Sequence, residues 1–371
     1  MRIAMVTETY PPEVNGVART ISLMAEGLER RGHAIGLVRP RQNGHDAALS
    51  GEVLVRGIPI PRYHELQMGI SAPGSLERRW REERPDLVHI ATEGPLGWSA
   101  LTAARRLGIS VGSGFHTNFH SYMRDYGMGW LARPVTAYLR SFHNRACYTM
   151  VPTRQVGEEL AAMGFERLRV VGRGVNTQVF DPARRSPALR SSWGAHDGTL
   201  VVLCVSRFAH EKNFPLLFEA YAAMRRVRPD AKLVLVGHGP LAADLSRRNV
   251  GCVEAGRKAD AELARYYASA DVFLFPSMSE TWGNVTLEAM ASGLGIVAYD
   301  YAAAREVLRD GTSALLAPFG DAAAFIAHAQ TLARDPDLAA RLGRAARTVA
   351  EKLTWERIVR DFESVLLDLA P

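Results

Sequence analysis

Lysine is scarce in this chain. Of 45 basic residues only Lys212, Lys232, Lys258 and Lys352 are lysine, and none precedes Lys212. A lysine is therefore a marked position, whereas an arginine reflects a bias that the base composition of the coding DNA would explain. Cysteine is scarcer still. Cys147, Cys204 and Cys252 are odd in number and form no CxxC, which excludes a disulfide framework and leaves buried thiols in a reducing cytosol as the expectation. No apolar run approaches the ~18 residues of a membrane span. The opening MRIAMVTETYPP has no continuous apolar segment, so a signal peptide is not expected. The first strand-to-helix loop, PPEVNGV, is not G-x-G-x-x-G, and no acidic residue closes the second strand. A dinucleotide site is thereby disfavoured. The sole D-x-D, Asp335 and Asp337, straddles Pro336 between two helical stretches and reads as a turn, so no metal site is expected. No basic–aromatic module of a nucleic-acid binder is present, and nucleic acid is not an expected partner.

What is there is an ordinary soluble composition, 47% hydrophobic and 23% charged. A length of 371 residues suits two domains, each able to bury a core. The net charge of +6 is uneven. Residues 1–184 hold 23 basic and 17 acidic side chains, a difference of +6, and the remainder holds 22 of each. The basic half suggests a surface that meets something acidic, with an anionic membrane favoured.

Buried-strand runs alternate with amphipathic helices throughout. RIAMVT is followed by a tight turn at Asn15-Gly16 and a helix over 17–31, then a strand over 34–38. The segment 51–74, rich in Gly and Pro, reads as a long loop or a hairpin. Strands at 86–90 and 110–114 flank a helix at 95–107. His116 falls just past the second of these strands, on the side where open α/β sheets bind ligands. His33, His120 and His143 lack that placement and read as surface or helix histidines. An amphipathic helix at 130–145 carries Arg133, Arg140 and Arg145 and is a candidate membrane face. Thr153 caps the next helix. The second half restarts at Thr199 with a β-rich run, and the last helix, 355–369, carries an apolar stripe. The predicted domains are 1–176, a linker 177–198, 199–350, and a crossover helix 351–371.

Three places in the second half carry chemistry. Arg207 and Lys212 follow the strand ending at Val205, and together they can neutralise a diphosphate of about two charges. Gly237 and Gly239, in GHGP, form a turn that permits close backbone approach. In FPSMSETWGNVTLEAMASG a buried strand leads to a helix start at Gly283, Asn284 and Val285. The unbonded N–H groups there suit an anion. Glu280 and Glu288 frame this start. Carboxylates beside a phosphate site make sense when the ligand also offers hydroxyls, which describes a nucleotide-sugar.

The spacing of Glu280 and Glu288 within SETWGNVTLEAMASG resembles the EX7E signature of retaining GT-B glycosyltransferases of family 4. The resemblance covers essentially the whole chain through four motifs in the expected order: the Gly16 loop, His116, the Arg207/Lys212 pair and the Glu280/Glu288 segment. It implies two Rossmann-like parallel-sheet domains facing across a cleft, with a C-terminal helix crossing back to the first. It also implies that Gly16 lies against the donor diphosphate and that His116 contacts the donor sugar. The family places the nucleobase near Gly256, Arg257 and Lys258. Ser206, Trp282 and Gly295 depart from the usual glycine, phenylalanine and proline without removing a functional group. PRYHELQMG, GFHTNFHSYMRDYG and the segment ending YDYAAA resemble the branch of mannosyl-, glucosyl- and sulfoquinovosyl-transferases that builds membrane glycolipids.

The expected activity is retaining transfer of a hexose from a UDP- or GDP-linked donor to a lipid or glycan acceptor, by front-face attack without metal. Arg207 and Lys212 would stabilise the leaving group, Glu280 would hold the hexose and Glu288 the ribose. The expected location is cytoplasmic, peripheral on the inner face of the cell membrane. A nucleotide-sugar epimerase on the same scaffold and a non-catalytic nucleotide-sugar-binding subunit are the alternatives.

Overall fold

The computed structural model describes residues 1–13, 15–42, 46, 48, 51–60, 63–116, 132–248 and 251–368. The chain divides into two compact units, one formed by Met1–Arg173 with Trp355–Pro371 and the other by Gly174–Thr354.

In the first unit the strands are β1 (Arg2–Val6), β2 (Ala34–Pro40), β3 (Glu52–Ile60), β4 (Tyr63–Ile70), β5 (Leu87–Ile90), β6 (Ser110–Gly114), β7 (Tyr148–Val151) and β8 (Leu168–Val170). They form one sheet in the order β4-β3-β2-β1-β5-β6-β7-β8. Every pairing is parallel except β3 with β4. The apolar runs give such strands because both faces are covered. Ile3 and Met5 join one buried cluster, while Ala4 and Val6 join another. Chain order runs outward in both directions from β1 and β5, so the gap between their carboxyl ends is a topological switch point, where open sheets take ligands.

Asn15 is not part of a tight turn. Its side chain accepts the Ala18 N–H at 2.8 Å and caps the helix Gly16–Arg30, with Gly16 as first helical residue. Residues 51–74 resolve in favour of the hairpin, because Val53 and Val55 pack on the core despite the Gly and Pro around them. A helix at Pro73–Glu83 was not anticipated. Only Leu76 and Trp80, one turn apart, are buried among its arginines and glutamates. The helix expected at 130–145 spans Ala132–His143, and Arg145 lies beyond it, 5.0 Å from the Trp98 ring centre. His120 and Trp130 lie outside the described residues. Cys147 corrects the expectation of buried thiols. It is exposed in the turn before β7, while Cys204 is buried and Cys252 intermediate.

The helix Trp355–Leu367 closes this unit. Ile358, Val359, Phe362 and Leu366 bury against the helix Gly16–Arg30, where a Cβ on Gly27 would stand 2.4 Å from Val359. Glu363 then takes Arg31 at 2.5 Å and His33 at 2.8 Å.

The second unit is wholly parallel. Its strands are β9 (Val201–Val205), β10 (Lys232–Val236), β11 (Val253–Glu254), β12 (Val272–Phe275), β13 (Gly295–Tyr299) and β14 (Leu315–Ala317), in the order β11-β10-β9-β12-β13-β14. Val201, Leu203 and Val205 face one core while Val202 and Cys204 face the other. The switch point here lies between β9 and β12. Segment 177–198 is held within this unit. Arg190 donates to the carbonyls of Ser269 (2.8 Å) and Thr199 (2.6 Å) and pairs with Asp271 (3.1 Å). Asp335 caps the helix Pro336–Ala350 through the Leu338 N–H at 2.8 Å, which is the turn role expected of the D-x-D.

Candidate active site

The switch point of the second unit gathers the residues singled out from its sequence. Arg207 follows β9, and Lys212 ends a 3-10 turn at His210–Lys212. β12 delivers Ser277 and Glu280, and the helix Asn284–Ala291 carries Glu288. Lys212 Nζ lies 2.5 Å from Glu280 Oε1 and 3.3 Å from Ser277 Oγ, with the Phe275 ring centre 5.8 Å away. Ser277 Oγ also donates to Glu280 Oε1 at 2.8 Å, so one hydroxyl ties cation and carboxylate together.

Arg207 is anchored separately. Its guanidinium donates to Glu211 Oε1 at 2.7 Å, and Glu211 is buried. Burial alone would raise the Glu211 carboxyl, but the Arg207 hydrogen bond, a backbone donor and the charges of Arg207 and Lys212 hold it below the usual range. Glu211 is fixed in turn, since Met278 N–H donates to its carbonyl at 2.8 Å. Arg207 and Lys212 therefore each carry a carboxylate partner.

Gly283 caps the helix Asn284–Ala291 from the left-handed region, φ +97°. Asn284 and Val285 are half-buried at its start. Glu288, one turn in, accepts the Tyr267 hydroxyl at 3.0 Å. Burial first, then the Glu288 charge, pushes the Tyr267 phenol well above its ordinary value, so it stays a donor. The GHGP turn is close-packed against protein. A Cβ would meet the Ser206 carbonyl oxygen at 1.8 Å from Gly237 and the Phe208 carbonyl oxygen at 2.5 Å from Gly239. Arg257 is exposed beyond β11, and Lys258 pairs with Glu262 at 2.7 Å.

At the strand ends of the first unit the charges are buried instead. His116 follows β6, with its Nδ1 2.5 Å from an Arg173 guanidinium nitrogen. Both side chains are buried, at 6% relative exposure each. Burial, then the Arg173 charge, lowers His116 well below the ordinary imidazole value. His89 on β5 is pushed to about 3 by burial and Arg173, and His143 to about 3 by burial. His143 is thus a buried helix residue rather than a surface one, bonded to Ser113 at 2.9 Å. Glu8 and Glu93 follow β1 and β5 at the switch point. Burial raises them to about 7 and about 8, with Glu8 adding to the rise at Glu93. Sequence reasoning missed Glu211, Ser277, Arg173, Glu8 and Glu93. The signal available for Arg173, Glu8 and Glu93 was their place two or three residues past a strand.

Comparison with known proteins agrees with this layout. Residues 14–179 match the model of glycosyltransferase family 4, and residues 186–349 match that of the group 1 glycosyl transferases. A GDP-mannose-dependent alpha-mannosyltransferase of Mycobacterium tuberculosis is 35% identical over 369 residues, covering 95% of each chain. The chain belongs to glycosyltransferase family 4. This glycosyltransferase is also 29% identical to the sulfoquinovosyl transferase SQD2 of Arabidopsis thaliana over 366 residues, 95% of this chain and 71% of that one. Its fold matches a sucrose-phosphate synthase from Thermosynechococcus elongatus with a TM-score of 0.81 at 19% identity, over 99% and 98% of the two chains. The glycosyltransferase therefore has the GT-B architecture of two α/β parallel-sheet domains. Among the described residues, none of its helices is long and apolar enough to cross a membrane.

Proposed function

We propose that this glycosyltransferase moves a hexose from a nucleotide-sugar, GDP-mannose first among candidates, to a hydroxyl of a lipid-borne acceptor with retention of configuration. The observation that carries the reading is the convergence of Arg207, Lys212, Glu280 and Glu288 around one switch point and one helix start. The donor choice is supported by the 35% identity to a GDP-mannose-dependent enzyme, and the lipid acceptor by kinship with that branch.

In this reading the bond between sugar C1 and the β-phosphate oxygen breaks while C1 bonds to the acceptor oxygen on the same face. The acceptor proton passes to the departing phosphate. The leaving diphosphate is the largest electrostatic demand, and Arg207, Lys212 and the N–H groups at Asn284 and Val285 answer it without a metal. Lys212 is held by Glu280 beforehand, so phosphate binding exchanges partners. The diphosphate takes Lys212, and Glu280 turns its lone pairs to hexose hydroxyls. Glu288 holds the ribose, Gly16 serves the diphosphate as the family resemblance implies, and Gly239 and Arg257 lie along the nucleotide. His116 contacts the hexose. The enzyme works at the inner face of the cell membrane, with the basic first half, including exposed Arg133 and Arg140, meeting anionic lipid.

The test is thermal stabilisation by nucleoside diphosphates and their sugars in the presence of a chelator, followed by anomeric analysis of product. A ligand at a hundred times its Kd adds about 2.7 kcal/mol. Stabilisation by GDP over UDP with an α-linked product supports the reading. Binding without transfer would favour a non-catalytic subunit, an epimerised donor would favour the epimerase, and no stabilisation by any nucleotide would sink all three. Co-sedimentation with neutral but not anionic vesicles would remove the membrane clause.

A further inference from the structure

We infer that Arg173 is a positioning residue that locks His116 as the neutral Nε2–H tautomer, so that His116 serves the reaction as a fixed hydrogen-bond donor and never as an acid or base. The inference rests on the proposed contact between His116 and the donor sugar, and its first measurement is independent of that contact.

The argument starts from what each group can do. A guanidinium has five N–H donors and no acceptor. Its nitrogen stands 2.5 Å from His116 Nδ1, so Nδ1 must be the accepting nitrogen. A neutral imidazole that accepts at Nδ1 carries its proton on Nε2. The imidazolium is excluded twice. Both nitrogens would then be donors, setting N–H against N–H, and a second positive charge would sit beside a buried guanidinium. Arg173 itself, lowered to about 10 by burial, remains a cation at neutral pH.

The surroundings act in the same direction. Among the described residues, Arg173, His89 and His143 each disfavour protonation of His116. His89 and His143 have their own anchors, Tyr148 at 3.0 Å and Ser113 at 2.9 Å. Gly114 makes the seat possible, since a Cβ there would stand 2.5 Å from His116 Nε2. Arg173 holds one edge of the ring and Gly114 leaves room for the other. The ring plane and the single N–H direction are thereby set before any ligand arrives.

Imidazole 15N spectra of the full chain between pH 5.5 and 8.5 test this. His116 should show a pyridine-type Nδ1 and a pyrrole-type Nε2 that do not move with pH. An Nδ1–H tautomer, or a midpoint inside that window, would overturn the assignment whether or not transfer is detected. For the link to catalysis, Arg173→Met should mix the tautomers and lower kcat by about a hundredfold, the cost of ångström-scale misplacement. Donor KM should change by less than about threefold. Arg173→Lys, which restores a donor and a charge, should recover part of kcat and the Nε2–H signal. If Arg173→Met does not fold, Arg173→Lys carries the test alone, with kcat lowered less and the tautomer kept. A variant with scrambled tautomers and unchanged kcat would refute the positioning role. Absence of transfer by the unaltered chain would instead count against the proposed function and leave the tautomer result standing.

Discussion

The two sheet edges handle charge in opposite ways. At the switch point of the second unit, Arg207 and Lys212 are only partly covered, and each is paired with a carboxylate. At the strand ends of the first unit, burial disfavours the charged forms of three histidines and two glutamates, and Arg173 is the cation among them. A paired, half-exposed ion can exchange its partner for a phosphate at modest cost. A buried neutral group cannot acquire charge cheaply, but it can hold a hydrogen bond in a fixed direction. One edge is suited to charge that develops during a reaction, and the other to orientation.

The strongest way to break that contrast is to remove a cation from the charged edge. Arg207→Ala should lower kcat by about a hundredfold to a thousandfold, the loss seen when a preorganised charge stabiliser is deleted, with circular dichroism unchanged. Near-normal turnover would end the assignment of this edge. Glu280→Gln keeps the shape but loses the charge that pairs with Lys212. It should lower kcat by about tenfold or more, read from initial rates at saturating donor.

On the same edge, Glu288→Gln should raise donor KM by about tenfold with little change in kcat, since ribose binding is the same in ground and transition states. Tyr267→Phe, which removes only the neutral donor to Glu288, should give a smaller rise. An effect of Tyr267→Phe larger than that of Glu288→Gln would reverse their assigned order.

The neutral edge makes a prediction about stability. Glu8 and Glu93, raised from 4.5 to about 7 and about 8, bind protons in the folded state that the unfolded chain releases. Their contribution is full below pH 4.5 and is lost as pH rises through 7 to 8. His89 and His143, lowered from 6.5 to about 3, act in reverse, adding stability as pH rises from 3 to 6.5, and His116, lowered well below 6.5, adds in the same direction. Urea denaturation of the full chain should show these groups raising stability up to pH 6.5, more gently above pH 4.5, and lowering it from there to 8. Glu93→Gln should flatten that decline. A decline that survives both Glu8→Gln and Glu93→Gln would assign it to other groups.

Most of the alternating architecture was readable because the parallel strands bury both faces and so read as unbroken apolar runs, as VVLCV and VFLF do. The helix at Pro73–Glu83 escaped because two buried side chains, Leu76 and Trp80, are too few to mark a face. In the site, Arg207, Lys212, Glu280 and Glu288 were legible from strand ends and spacing. Their partners were not. Glu211 sits beside Lys212 in the chain and looks like a solvated neighbour until the fold buries it beneath Arg207. Arg173 meets His116 across 57 positions, a pairing that only the order of β6, β7 and β8 creates. The glycines at 237 and 239 were read for ligand approach, and the nearest neighbour of each proved to be backbone of the β9 loop.

The helix Trp355–Leu367 completes the core of a unit whose other residues end at Arg173. During synthesis the ribosome must therefore make the entire intervening unit, at about 5–20 residues per second, before the first one can close. For that interval the face of Gly16–Arg30 bearing Met24 and Leu28 has no cover from its eventual neighbour. The nascent chain would be a chaperone client over a window set by translation speed, and slow codons between residues 174 and 354 would lengthen it.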